Sequence, residues 1–228
     1  MSEPASGRGD RIAAVIFDMD GVLIDSEAVW DDVRKQFTEE AGGHWHEGAQ
    51  RDMMGMSSIE WSRYVRDRLG VPMSPEEIST EVAKRVADTY RENLPLLPGA
   101  VESVRALAES WPLAVASSSN RFVIDLVLEL AGLKDAFQTT VSSEEVGRGK
   151  PAPDVYLEAA RRLGADPATC AAIEDSTNGI RSAHAAGMTV VAVPNRDFPP
   201  DPDALRLATL VLDSLTELTP ERLRSISA

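Results

Sequence analysis

The chain has 228 residues, 43% of them hydrophobic, which is enough to bury the core of one large domain or of a domain carrying a smaller insert. Its 37 Asp and Glu residues outnumber 23 Lys and Arg residues, and the net charge of −14 argues against a nucleic-acid partner, because phosphate-backbone binding needs a basic surface. No apolar stretch approaches the roughly 20 residues that cross a bilayer, and the opening MSEPASGRGD lacks the apolar block of a secretory signal. The single cysteine, Cys170, has no partner for an intrachain disulfide and lies in an apolar run. These features predict a cytoplasmic protein without a nucleic-acid or membrane partner, in which Cys170 is a buried core residue.

The first part of the chain contains one predicted strand followed only by helices. After a flexible polar tail over residues 1–10, the apolar run at 12–17 predicts a short buried strand that ends in the acidic turn Asp18-Met19-Asp20-Gly21. Three helices are predicted next, over residues 26–41, 57–69 and 75–91. The last has a favourable start, because Ser74 precedes Pro75 and two glutamates. The pattern predicts an all-helical insert over residues 27–93.

From residue 98 onward, predicted strands alternate with predicted helices. The strands cover residues 113–116, 139–141, 171–173, 189–193 and 210–212. The helices cover residues 100–110, 120–130, 153–163 and 177–186, and a further helix ends the chain. This alternation predicts an α/β fold with an open, doubly wound parallel sheet, built from residues 11–26 and 94–228.

Polar side chains follow several of these strands. Asp18 and Asp20 follow the first strand, Ser117 to Ser119 the second, and Glu174-Asp175 a later one, while Lys150 lies in a loop after the third. The carboxyl ends of parallel strands share one rim of the sheet, so these residues are expected to meet in one pocket. Carboxylates next to a substrate phosphate repel it, so the site needs positive charge nearby. Lys150 and a divalent ion are expected to supply that charge. Because the available ligands are oxygen atoms, the expected ion is Mg²⁺.

Each motif alone also has a simpler interpretation. The Asp18 turn could be an ordinary acidic turn, the serines could only cap the next helix, and Lys150 could be a solvated surface residue. Residues 147–152, GRGKPA, formally match a dinucleotide-binding fingerprint, and their Gly-Lys pair is also found in phosphate-binding P-loops. The fingerprint is rejected because no continuous strand leads into that segment. The P-loop is rejected because Pro151 stands where a P-loop needs Ser or Thr.

Four segments taken together resemble the ordered motifs of the haloacid dehalogenase superfamily. They are DMDGVLIDS at 18–26, ASSS at 116–119, GKPAPD at 149–154 and IEDS at 173–176. The match spans residues 12–193 and is most similar to the β-phosphoglucomutase-like and phosphoglycolate-phosphatase-like branch. The resemblance implies a Rossmann-like core with a helical cap inserted after the first motif, in agreement with the helix-only stretch at 27–93.

The resemblance also implies a role for each matching residue. Asp18 is expected to be the nucleophile that forms an aspartyl phosphate, and Asp20 the general acid and base. Ser117 and Lys150 are expected to bind the transferring phosphoryl group. The expected Mg²⁺ ligands are Asp18, Asp175 and the backbone carbonyl of Asp20, with Glu174 either a further ligand or an acceptor behind them.

The predicted function is Mg²⁺-dependent hydrolysis of a small phosphorylated metabolite by a monomer or weak dimer; the alternative is a β-phosphoglucomutase-like sugar phosphate mutase. Predicted substrate-binding residues are Ser118, Ser119, Asn120, Trp30, Gly55 and Ser58. In the mutases a cap histidine stands where this chain has Trp30, and aligning their cap glycine with Gly55 sets Ser58 where they have a phosphate-gripping arginine. Neither residue can replace its counterpart chemically, which favours hydrolysis. Trp30 is expected to give an apolar wall, or simply to pack between cap and core.

Overall fold

A computed structural model describes residues 12–53, 56–196 and 198–226. Its strands are β1 (Ala14–Phe17), β2 (Leu113–Ser117), β3 (Thr139–Ser142), β4 (Cys170–Glu174), β5 (Thr189–Ala192) and β6 (Leu210–Val211). They form one six-stranded sheet in the order β3-β2-β1-β4-β5-β6, and every neighbouring pair is parallel. The predicted doubly wound parallel sheet is therefore confirmed.

Ten α-helices surround the sheet or precede its second strand in the described residues. They are α1 (Glu27–Glu40), α2 (Ala49–Met53), α3 (Ser58–Asp67), α4 (Pro75–Glu92), α5 (Ala100–Ala108), α6 (Arg121–Leu130), α7 (Asp154–Leu163), α8 (Thr177–Ala185), α9 (Pro202–Leu205) and α10 (Pro220–Ser225). None of the helices in the described part of the chain has the length and apolarity to cross a membrane.

Both faces of the sheet are buried beneath helices. In β1, Val15 and Phe17 belong to one apolar cluster and Ala14 and Ile16 to the other, as alternating side chains on a strand require. Burial on both faces explains why the strands are continuous apolar runs rather than alternating ones. Cys170 in β4 is fully buried with a free thiol, so the prediction of a core cysteine is confirmed.

Between β1 and α5, the described residues form helices α1 to α4 and no strand. The short α2 is absent from the sequence-based prediction. Helices α3 and α4 each begin with a capping box, formed by Ser57 with Glu60 and by Ser74 with Glu77. The two ends of this helical segment lie side by side next to the sheet, as shown by the Asp25 backbone N–H, which donates to the Pro95 carbonyl oxygen at 2.8 Å. This arrangement agrees with an insert, while its exact limits at 27 and 93 stay a prediction.

Candidate active site

The site lies where the strand order reverses, beyond the carboxyl end of β1. Phe17, the last residue of β1, pairs with Val115 on one side and with Ile173 on the other. Asp18 therefore emerges between the ends of β2 and β4, at the position where open α/β sheets bind ligands. The prediction that the polar strand ends share one rim depends on this parallel register.

Lys150 links the first and last motifs at this rim. Its Nζ lies 3.0 Å from Oδ1 of Asp18 and donates to Oε1 of Glu174 at 2.7 Å, and all three side chains are buried. Burial lowers the pKa of Lys150, but the charges of Asp18 and Glu174 raise it more, so the net shift is upward. The lysine is therefore a fixed buried cation and not a solvated surface residue.

Glu174 is fully occupied by hydrogen bonds. Its Oε1 also accepts from the Tyr156 hydroxyl at 2.7 Å, while Oε2 accepts from the backbone N–H of Asp175 at 3.1 Å and from Ser176. These contacts use the acceptor positions that a metal ligand would offer. Of the two roles expected for Glu174, they favour the acceptor that orients Lys150.

Asp18 and Asp175 have fewer partners than Glu174. Oδ1 of Asp175 is buried and has no hydrogen-bond partner among the described residues, and Oδ1 of Asp18 has only its ion pair with Lys150. Burial, with the nearby charges of Glu174 and Asp20, raises the pKa of Asp18 to about 8, although Lys150 opposes the shift. Burial and the charge of Glu174 likewise raise the pKa of Asp175 well above its usual range.

These carboxylates suit a hard cation. Asp18, Glu174 and Asp175 can place one oxygen each within 4.8 Å of one another. Gly21, at φ +75°, lets the backbone pass so close to the Asp175 carboxylate that a side chain there would collide with it. A cluster of buried carboxylates, of which Asp175 has an oxygen without a partner among the described residues, fits Mg²⁺, which takes oxygen ligands and one or two protein carboxylates.

Asp20 is held by three donors. Its Oδ2 accepts from Ser119 Oγ at 2.7 Å and from Ser117 Oγ at 3.3 Å, and its Oδ1 accepts from the Trp30 indole N–H at 3.3 Å. Ser117 ends β2 and Ser119 follows it, whereas Trp30 belongs to α1 in the helical segment. The carboxylate is thus positioned jointly by the sheet and by the segment predicted to be the cap.

A cavity of about 410 Å³ lies above this rim. Four of the predicted core residues line it: Asp18, Asp20, Lys150 and Asp175. Four of the predicted substrate-binding residues also line it: Trp30, Ser58, Ser118 and Ser119. Gly55 lies outside the described residues. Most of the predicted residues therefore surround one space, although their roles stay predictions.

Asn120 and Ser117 do not line that cavity. The Asn120 amide donates to Ser79 at 3.1 Å and to Glu144 at 2.7 Å, and its oxygen accepts from Ser58 at 3.3 Å. Asn120 therefore connects α3 and α4 to the end of the sheet. These contacts are between parts of the protein, whereas the sequence predicted that Asn120 binds substrate. Ser117 is fully buried beneath Asp20 and accepts from the backbone N–H of Ser119 at 3.0 Å.

Sequence reasoning missed Tyr156 and Arg34. Tyr156 carries no motif, and only the fold brings its hydroxyl to Glu174. Arg34 lines the cavity, and its position four residues after Trp30 places both on one face of a helix. That spacing was the signal available in the sequence.

Comparison with known proteins agrees with this geometry. A family model described as haloacid dehalogenase-like hydrolase matches residues 12–187. Hexitol phosphatase B of Escherichia coli (strain K12) is 37% identical over 93% of this chain and 97% of its own length. The probable pseudouridine-5'-phosphatase of Drosophila melanogaster is 32% identical over 93% of this chain and 94% of its own length.

The structure of β-phosphoglucomutase from Clostridium difficile superposes with a TM-score of 0.81 at 23% identity, covering 95% of this chain and 97% of that one. At that identity the likeness concerns the fold alone. The two phosphatase relatives confirm the predicted class of enzyme, a hydrolase of phosphoric monoesters. The family model matches most of this chain, and the chain therefore belongs to the haloacid dehalogenase-like hydrolases.

Proposed function

We propose that this phosphatase hydrolyses a small phosphorylated metabolite through a phosphorylated Asp18. The observation that carries the proposal is the buried contact of Asp18 with Lys150, beside Asp20 and beneath the cavity. A nucleophile and a proton-transfer group two residues apart, with a fixed cation next to them, match the needs of phosphoryl transfer, which are positioning and charge stabilisation.

In the first step, an Asp18 oxygen bonds to phosphorus while the ester P–O bond breaks. The leaving oxygen keeps the electron pair of that bond and takes a proton from Asp20. In the second step, water attacks the aspartyl phosphate and gives a proton to Asp20. Asp18 then leaves as a carboxylate, so inorganic phosphate is released and both aspartates return to their starting states.

The remaining residues hold the phosphoryl group. Lys150 neutralises its charge and keeps Asp18 in place through their 3.0 Å contact. Ser118 and Ser119 line the cavity near the start of α6, where hydroxyl and backbone N–H groups can bind phosphate oxygens. Ser117 supports them from below by contacting Asp20 and Ser119.

Mg²⁺ would be held by Asp18 and Asp175, with the backbone carbonyl of Asp20 and with Glu174 behind them. When bound, the ion neutralises negative charge on the carboxylates and on the phosphate. The buried Oδ1 of Asp175, which has no partner among the described residues, and its closeness to Asp18 support this assignment.

The wider setting is also part of the proposal. Residues 27–93 form the cap, and residues 11–26 and 94–228 form the catalytic core. The free, buried thiol of Cys170 supports a reducing cytoplasmic location. We further propose a monomer or weak dimer without a nucleic-acid partner, as the net charge of −14 suggests.

Phosphate release from p-nitrophenyl phosphate with and without Mg²⁺ tests the proposal. We expect Mg²⁺-dependent release that Asp18→Asn abolishes, and release by that variant within tenfold of the wild type would exclude the covalent route. The mutase alternative is tested with β-glucose 1-phosphate and a bisphosphate primer. Formation of glucose 6-phosphate without matching phosphate release would establish the mutase.

A further inference from the structure

Arg34 is an unusual cation in the cavity wall. Its guanidinium carbon lies 4.9 Å from the Trp30 ring centre and 4.8 Å from the Trp61 ring centre, and the residue is only 8% exposed. Within the described ranges, no carboxylate forms an ion pair with it and its buried Nε has no partner. Its Nη1 reaches the Gln50 oxygen at 3.5 Å, a long contact with a neutral group. A buried guanidinium with unused donors is costly unless another group completes its hydrogen bonding.

Glu27 provides the complementary acceptor. It lines the same cavity, and its Oε2 accepts from the Gln50 amide at 2.9 Å. Gln50 therefore connects Arg34 and Glu27 without bringing them into direct contact. The cavity wall thus presents a guanidinium donor and a carboxylate acceptor, both from helix α1, and no ion pair joins these two described side chains.

This pairing favours a hydroxyl over an anion. A hydroxyl accepts from Arg34 through its oxygen and donates its hydrogen to Glu27, so it satisfies both groups. An anionic group would pair with Arg34 but would be repelled by Glu27 and by Asp20. Arg51 also lines the cavity, but it is exposed, so water screens its charge.

We infer that Arg34 and Glu27 select phosphate esters whose leaving group is a neutral polyol, with a hydroxyl far from the phosphate bound between the two side chains. The inference rests on the proposed function, because it assigns a substrate class to the same site. The indole rings of Trp30 and Trp61 hold the guanidinium in place, which gives the selection a rigid basis. Arg34 and Glu27 are therefore specificity residues that take no part in the phosphoryl transfer itself.

The experiment uses a matched pair of esters, D-glucitol 6-phosphate and 6-phosphogluconate, which differ only in a terminal alcohol or carboxylate. Phenyl phosphate is the reference ester, because its phenyl group carries no hydroxyl that could bind between Arg34 and Glu27. Wild-type kcat/KM is expected to be at least tenfold higher for the glucitol ester than for the gluconate ester. Equal values, or a preference for the gluconate ester, would overturn the inference in favour of an anionic substrate.

Variants connect the preference to the named residues. Arg34→Met and Glu27→Gln are each expected to lower kcat/KM for the glucitol ester at least tenfold more than for phenyl phosphate, mainly through KM. Lys35→Met is the matched control, because Lys35 is exposed on the same helix and lies outside the cavity lining. A uniform loss across all three esters would refute a selective role.

Folding and the underlying activity are controlled separately. A midpoint of thermal unfolding for Arg34→Met within a few degrees of the wild type shows that the fold survives. Glu27→Gln is the second, milder substitution. Calorimetry on the inactive Asp18→Asn variant measures the affinity for the glucitol ester without turnover. If adding Arg34→Met to that variant leaves this affinity unchanged, the inference is overturned. If instead no phosphate is released from any of the three esters, the proposed function itself fails.

Discussion

Replacing Gly179 by alanine is expected to damage the site through Glu174. Gly179 lies in the first turn of α8, and a Cβ built on it would fall within 3.0 Å of both carboxylate oxygens and the carboxyl carbon of Glu174. Glu174 is fully buried, and protein interiors are close-packed, so its carboxylate cannot move without displacing its neighbours. The carboxylate must therefore shift away from the partners that it now holds.

The magnitude follows from the contacts at risk. Lys150 and Tyr156 each donate to Oε1 of Glu174 at 2.7 Å. A hydrogen bond to a charged group contributes about 1.5–3 kcal/mol, so the loss of two costs about 3–6 kcal/mol. Alanine in a helix offsets about 1 kcal/mol of this, since it is the better helix former. The net expectation is a fall of about 2–5 kcal/mol in the free energy of unfolding.

Urea denaturation of the variant measures this change, and phosphate release measures the displacement of Lys150. Gly48→Ala is the control, because its Cβ would meet only the His46 ring at ordinary contact distances of 3.5 and 3.6 Å. We expect that control to change stability by less than about 0.5 kcal/mol. A Gly179→Ala protein as stable and as active as the wild type would refute the assigned role of Glu174.

Asp18→Asn is expected to reduce turnover more than about a thousandfold while leaving the far-UV circular dichroism spectrum unchanged, and substantial turnover by a well-folded variant would contradict a covalent nucleophile. Excess chelator should stop catalysis and lower the thermal midpoint, and Mg²⁺ should restore both; full activity in chelator would oppose the metal assignment. In metal-free protein the Asp18 pKa is about 8 when folded, against an ordinary value of 3.8, so the folded state retains a proton that the unfolded state loses. Stability should therefore fall as the pH rises from about 4 to about 8, and Asp18→Asn should flatten that slope; a slope of opposite sign would contradict this. Trp30→Phe keeps the ring but removes the N–H that reaches Asp20, so kcat should fall about two- to tenfold with unchanged affinity for Mg²⁺, and an unchanged kcat would show that this contact is dispensable.

The sheet could be predicted from the sequence because its strands are short, continuous apolar runs. All six predicted strands are present, and Asp18, Ser117 and Glu174 stand at the ends of β1, β2 and β4. Parallel pairing then brings those ends together without any further information. The local pattern and the global fold impose the same arrangement at this rim, which is why the predicted cluster of polar residues is found there.

The helical segment was harder to predict because its important contacts are not local. Helix α2 has only five residues, too few for a periodic pattern to stand out. The stacking of Arg34 between Trp30 and Trp61 joins α1 to α3, and no sequence spacing within either helix specifies that pairing. Asn120 was assigned to substrate, whereas the packing of α3 and α4 engages it with Ser58 and Ser79.

The charges at the rim do not balance without a further cation. Lys150 forms ion pairs with both Asp18 and Glu174, and Tyr156 and two backbone N–H groups stabilise the glutamate further. One lysine therefore faces the three carboxylates of Asp18, Glu174 and Asp175, and burial makes the two remaining negative charges unfavourable, as the raised pKa values of Asp18 and Asp175 indicate. One divalent cation balances two carboxylates, whereas a single proton or a monovalent ion leaves one charge unpaired. The charge balance therefore favours a divalent ion at this cluster, and the contact of Glu174 with Lys150 keeps the lysine charged and in place.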